Sequence, residues 1–250
     1  RQVQALPPRR RRASRLEEPS MAYRKQELSL EELDKITSSF GKGSLMFMLP
    51  TGGEPFLRKD IGEIVKIWHK NTGVRNVGIP TNGSTTARTV SIVKDLCESC
   101  PDLDLHIDVS LDGVGELHDE IRVFPGLFKR SIETYKALRE VEKHYKNFSV
   151  QVETTVSSHN EDVLIENYEW FRKNLDVDTV FTLLTRGSPK EPLAKFFDVE
   201  KYQAYADHME QEYKSGSLSG YDHFPFADFI NAKRIVRHNL IAKIARENEY

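Results

Sequence analysis

Apolar positions along this chain follow two rhythms, short unbroken runs and helical stripes, and the two alternate from about Leu28 to Ser188. In LSLEELDKITSSFG, Leu30, Leu33 and Ile36 share a helical face, Ser29 and Glu32 stand at capping-box spacing, and Gly41 provides a stop. Leu45, Met46, Phe47, Met48 and Leu49 then run without polar alternation, which predicts a strand covered on both faces, as in a parallel sheet. After TGGEP, Ile61, Ile64, Val65 and Trp68 keep helical spacing up to Gly73. The pattern continues as strand VRNVGIPTNG, helix 85–100, strand LHIDVSLDG, helix LFKRSIETYKALREVEKHY, strand FSVQVETTV, helix VLIENYEWFRKNL and strand TVFTLLTRG. Strands are thus expected at 45–49, 74–79, 104–110, 148–156 and 179–185.

Successive strands start roughly thirty to forty-five residues apart, the size of a parallel unit with a helical crossover. The predicted fold is α/β, a barrel or a doubly wound sheet. All five strands end in small or polar residues, TGGEP, PTNG, SLDG, TTVSSHN and LTRG, and ligands of parallel α/β folds bind at carboxyl ends. Polar groups contributed by every strand fit a barrel mouth better than a single switch point. Past Pro189 the texture changes: a Pro-containing connector covers 189–198, a helix over 199–214 aligns Tyr202, Tyr205 and Met209, and 229–246 reads as a basic amphipathic helix. The expected domains are a tail over 1–26, a barrel over 27–188 and a helical extension over 189–250.

Composition narrows this picture only modestly. The 250 residues are 38% hydrophobic with a formal charge of −2, enough for one sizeable core and too nearly neutral to imply a nucleic-acid or membrane partner. There is no apolar run of the roughly 18 residues that a membrane span needs. Two cysteines and no secretory apolar segment point to a cytoplasmic setting. Arg1 to Arg15 holds six arginines and no acidic residue, so this tail is expected to be unstructured.

Gly52 and Gly53 let a ligand approach the backbone closely, Glu54 adds a carboxylate, and Pro55 stiffens the exit; such a loop suits an ammonium or amino-acid head group. TGGEPFLRKDI, then IPTNG, then SLDGVGELHDEIR resembles the radical S-adenosylmethionine superfamily, most of all its peptide-modifying and sulfatase-maturing branch. The resemblance implies a partial (β/α)6 barrel, a [4Fe-4S] cluster, S-adenosylmethionine and an external electron donor. The implied reaction is reductive cleavage to a deoxyadenosyl radical that takes a hydrogen atom from a peptide or small-molecule substrate. By resemblance, Thr51, Gly52 and Gly53 receive the cofactor's methionine ammonium, with Glu54 and Pro55 holding the loop. Ser110 and Asp112 would lie near the ribose hydroxyls, while Asn82 and Arg186 face the same cavity. His118, Asp119 and Arg122 read as local charge pairing in a solvated loop and helix start.

In that family three cluster thiolates come from a Cys-x-x-x-Cys-x-x-Cys loop after the first barrel strand. Here no cysteine precedes Leu28, and a Pro/Arg segment stands where strand and loop are expected. Cys97 and Cys100 fall instead at a helix end before a strand's amino end, so no metal ligand is assigned. The expectation is a barrel whose first strand is missing or replaced and which cannot hold the cluster as written. Two alternatives remain, a degenerate barrel that binds a nucleotide or protein partner, and an unrelated barrel using Glu54, Asp112, His118 and His159.

Overall fold

A computed structural model describes residues 27–177, 180–215 and 227–247. The expected tail, 1–26, lies outside the described residues. Helix α1 (Leu30–Ser38) opens with the capping box: Glu32 N donates to Ser29 Oγ at 3.2 Å and Ser29 N to Glu32 Oε2 at 2.8 Å. Strands β1 (Phe47–Met48), β2 (Asn76–Thr81), β3 (Asp104–Ser110), β4 (Phe148–Val156) and β5 (Val180–Leu184) form one sheet in chain order, every neighbouring pair parallel. Crossovers are made by α2 (Ile61–Thr72), α3 (Thr86–Ser99), α4 (Glu116–Arg122) with α5 (Leu127–Glu142), and α6 (Leu164–Leu175). The result is a five-stranded α/β partial barrel.

Alternation along the central strands sorts side chains into two environments. Leu105, Ile107 and Val109 of β3 and Val150, Val152 and Val156 of β4 join the hydrophobic core. His106, Asp108 and Ser110, with Ser149, Gln151, Glu153 and Thr155, take the alternate positions and face the barrel lumen. After β5, helices α7 (Val199–Lys214) and α8 (Ala227–Glu247) pack together. Tyr202, Tyr205 and Met209 of α7 are buried, as their spacing predicts. Among the described side chains of α8, Ala242 and Ala245 are buried and Ile241 packs against the core, while Val236 and Leu240 are exposed.

Two expectations need correction. The run 45–49 is not a strand covered on both faces: only Phe47 and Met48 pair, and Met46 is 87% exposed. The physical reason is position, since β1 is the sheet edge and has β2 alone as neighbour among the described residues. Ile36 likewise turns outward, and the buried side chain of α1 is Thr37, which bonds back to Leu33 O at 2.8 Å.

Candidate functional site

The loop after β1 is shaped by one carboxylate. Glu54 accepts from Phe56 N at 3.1 Å, Thr81 Oγ1 at 2.9 Å and Asn82 N at 2.6 Å, tying TGGEP to the end of β2. Burial raises the Glu54 pKa above the ordinary carboxylate value, although these donors and the charge of Arg122 pull against it. Pro55 opens the 3-10 turn Pro55–Leu57, where its missing N–H is not needed. Thr51, Gly52 and Gly53 remain exposed, and a Cβ built on either glycine meets nothing within 4 Å. Their backbone is therefore open to a ligand.

The SLDG loop is held more tightly. Asp112 accepts from Thr155 N at 2.9 Å and pairs with Arg122 Nε at 2.6 Å. Its backbone N donates to His118 Nδ1 at 3.1 Å, and its carbonyl accepts from Asn160 Nδ2 at 2.9 Å. Asn160 also donates to Thr155 O at 2.9 Å, so one buried side chain joins the ends of β3 and β4. Asp119 accepts from Gly126 N and Phe128 N and so starts α5. The sequence reading of a solvated loop fails at His118, which is fully buried on α4 against Phe128.

Burial and Arg122 lower the His118 pKa to about 4, against the opposing charges of Asp112 and Asp119. The folded state keeps a neutral imidazole with Nδ1 as acceptor, whereas the unfolded chain protonates near the ordinary value of about 6.5. Its contribution is present above about pH 6.5 and lost as the pH falls through the folded value of about 4. His238, also lowered to about 4 by burial and Arg237, acts in the same direction. Urea unfolding from pH 7 to 4 should show His118→Gln losing on the order of 2–3 kcal/mol less than the parent chain. Parallel pH dependences would remove His118 from the acid limb.

The strand ends enclose a cavity of about 760 Å³. Gly53, Asn82 and Asp112 line it from the ends of β1, β2 and β3, Thr155, Ser157 and His159 from β4, and Thr185 from β5. Arg122 and Phe124 close it from the α4 side, and Lys190 and Glu191 from the connector. His159 Nε2 stands 3.1 Å from Glu191 at this rim. Of the residues singled out in the sequence, Gly53, Asn82, Asp112, Arg122 and His159 meet here, with Glu54 and Pro55 behind the first; Thr51 and Gly52 are exposed beside the lining and not part of it, and Ser110 lies deeper on the lumen face. Arg186 is exposed and outside the lining. Sequence reasoning missed Arg122, Thr155 and Asn160 as cavity-shaping residues; TTVSSHN carried the signal for the last two, and the Asp112–Arg122 pairing had none.

A thiolate-bound cluster does not fit the residues present. Cys97 lies in the last turn of α3 and Cys100 caps it, both buried near the amino end of β3, away from the carboxyl-end cavity. Burial pushes the Cys97 thiol up to about 11 and also raises Cys100, which disfavours the thiolate a metal needs. A trio of Glu169, His208 and Glu212 lies within 4.8 Å on α6 and α7, but His208 already bonds Glu169 and Arg172 pairs with Glu212.

The sequence profile of the Radical SAM superfamily matches residues 11–154, more than half of the 250 residues. The AdoMet-dependent heme synthase of Methanosarcina barkeri is 34% identical over 133 residues, covering 53% of this chain and 34% of that protein. The GTP 3',8-cyclase of Klebsiella pneumoniae is 27% identical over 126 residues, covering 47% of this chain and 38% of that protein. This chain thus spans roughly a third of the length of such relatives. Among solved structures, native anSMEcpe with bound AdoMet and a peptide superposes with a TM-score of 0.55 at 17% identity, over 76% of this chain and 54% of that one. At that identity the likeness is one of fold.

Proposed function

Because the chain belongs to the radical S-adenosylmethionine superfamily, we propose that its strand-end cavity binds S-adenosylmethionine and that it forms the cofactor-holding barrel of an enzyme acting on a peptide or small molecule. The observation that carries this reading is the open glycine backbone at Gly52 and Gly53, fixed in place by the three hydrogen bonds to Glu54. Carbonyl groups of such a loop accept from an ammonium without any side chain interposed. Pro55 limits its motion, and Asn82 N is consumed in holding it. On the opposite wall, Arg122 is fixed by Asp112, so its remaining guanidinium nitrogens are available to a carboxylate or a ribose oxygen.

In the superfamily, an iron–sulfur cluster supplies the electron for cofactor cleavage. The cysteines of this chain do not fit that role, so the function assigned to its own residues is binding and orientation of the cofactor. The nearly neutral mouth, with Arg122 and Lys190 set against Asp112 and Glu191, suits a zwitterionic ligand better than a polyanion. The absence of cysteine from the described mouth also favours a second reading, a barrel that binds the nucleotide without turnover.

Calorimetry with S-adenosylmethionine tests the binding. The chain should bind it measurably, and Gly53→Val should weaken binding about tenfold or more, the cost of about 1.4 kcal/mol for a lost close approach. Because a Cβ at this position meets nothing within 4 Å, the variant should fold as the parent does. Equal affinity in both proteins, or none in either, rejects the cavity as the cofactor site. Anaerobic addition of iron and sulfide should leave the chain without stoichiometric cluster absorbance; cluster formation with cofactor cleavage would overturn the assignment of binding alone.

A further inference from the structure

We propose that Glu169 of α6, with His208 and Glu212 of α7, forms a site for a divalent transition cation of the zinc class, which ties the helical extension to the barrel. None of the three lines the strand-end cavity, so the site stands independently of the cofactor reading.

Helical spacing brings two of the ligands together. His208 and Glu212 are four residues apart and so share one face of α7. Glu169 reaches them from α6, and one donor atom from each of the three residues lies within 4.8 Å of the others. His208 Nε2 stands 2.7 Å from Glu169 Oε1. Zinc holds nitrogen and oxygen ligands at about 2.0–2.2 Å, which spaces tetrahedral donors roughly 3.3–3.6 Å apart, so side-chain adjustments of about an ångström close this set on one ion. The His208 ring packs edge-on against Tyr168, with centroids 5.7 Å apart, and that contact limits its swing. His208 and Glu212 are half-buried and Glu169 is exposed, which leaves an ion a path in from solvent.

Charge and donor type select the ion. Two carboxylates and one imidazole carry two negative charges, the complement of a divalent cation, and the imidazole nitrogen favours zinc-class ions over magnesium or calcium. Without metal, Arg172 pairs with Glu212 and His208 bonds Glu169. Arg172 is a displaceable placeholder: its guanidinium also lies over the Tyr168 ring, 5.7 Å from the centroid, so it can release Glu212 and keep a favourable contact. A second observation points to a ligand. Tyr168 is 1% exposed, and among the described residues its hydroxyl has no hydrogen-bond partner, although Glu212 and Glu169 lie within its electrostatic reach. Buried hydroxyls are rarely left in that condition. A zinc ion with three protein ligands keeps a fourth position for water, and that water supplies Tyr168 with its missing partner.

The test uses the full chain, stripped of metal with a chelator, and zinc chloride as the probe in titration calorimetry, with magnesium chloride as the control. Zinc should bind at one ion per chain, and magnesium should give no heat at the same concentrations. Cobalt(II) in place of zinc should show the visible bands of a four-coordinate ion. Glu212→Gln and His208→Ala should each weaken zinc about tenfold or more, while His69→Ala, which breaks another histidine–carboxylate pair, should leave it within about twofold. Arg172→Met should tighten zinc binding about threefold or more, because the competing cation is gone. Zinc should raise the urea midpoint of the parent chain and not that of Glu212→Gln. Absence of zinc binding, equal binding of magnesium, undiminished binding by Glu212→Gln, a loss in His69→Ala, or weaker binding by Arg172→Met overturns the site. If His208→Ala does not fold, the near-isosteric Glu212→Gln and the cobalt spectrum of the parent chain still decide.

Discussion

Gly83→Ala should destabilise the fold by roughly 3 kcal/mol or more, although it adds a single methyl group. Gly83 has φ +74°, and an alanine Cβ there would stand 2.6 Å from Ser131 Cα and 3.1 Å from Ser131 Oγ. The left-handed backbone alone costs about 1 kcal/mol for a residue with a Cβ. The larger part is the clash, because the obstructing atom is backbone in the middle of α5 and no rotamer relieves it. Relief by moving α5 would break Ser131 Oγ to Asn82 O at 2.6 Å and Thr134 Oγ1 to Gly83 O at 2.7 Å. Urea denaturation measures the loss, with Gly52→Ala as the control, since a Cβ there meets nothing within 4 Å. Equal midpoints for the two variants would show that α5 does not rest on this turn.

The second large effect belongs to Glu54. Glu54→Ala strands three donors, Phe56 N, Thr81 Oγ1 and Asn82 N, and should cost about 3–5 kcal/mol, because each lost bond to a charged acceptor is worth about 1.5–3 kcal/mol and water offsets part of the sum. Binding of S-adenosylmethionine should disappear with it, since the glycine backbone keeps its place only while the loop is tied to β2. Glu54→Gln retains one acceptor oxygen and should fall between the alanine variant and the parent in both measurements. A loss below about 1 kcal/mol for the alanine change would mean that the loop is held by Pro55 and packing.

The sequence made much of this molecule legible, and where it fell short a tertiary cause can be named. Strands β3 and β4 match their expected ranges to the residue because their apolar runs end at polar strand-end motifs. The LMFML run gave the wrong burial because an unbroken apolar stretch reads the same at a sheet edge as in its centre; only the neighbour count differs. His118 was legible as a histidine near two acids, but its burial depends on Phe128, ten residues on and in another helix. At the site, GGEP, TNG and SLDG contain Gly53, Asn82 and Asp112, which line the cavity, because backbone turns at strand ends are encoded locally. Asn160 was marked by the polar end of β4, but its contact with the Asp112 carbonyl crosses from β4 to β3, and the pairing of Arg122 with Asp112 folds α4 back over the end of β3; neither partner can be read from local spacing.

Among the described residues, the flank of β1 away from β2 bears on how the purified chain behaves at working concentration. Met46, Phe47 and Leu49 are exposed, and among the described residues β1 pairs with β2 alone. An apolar edge left open in this way recruits a second edge, so dilution is the control: an apparent affinity that falls as concentration rises would mark self-association competing with ligand binding. Apparent affinities should therefore be compared at matched dilution. A lysine at Met46, whose side chain is 87% exposed and contributes little to the core, is the substitution that would blunt this edge while leaving the strand-end cavity untouched.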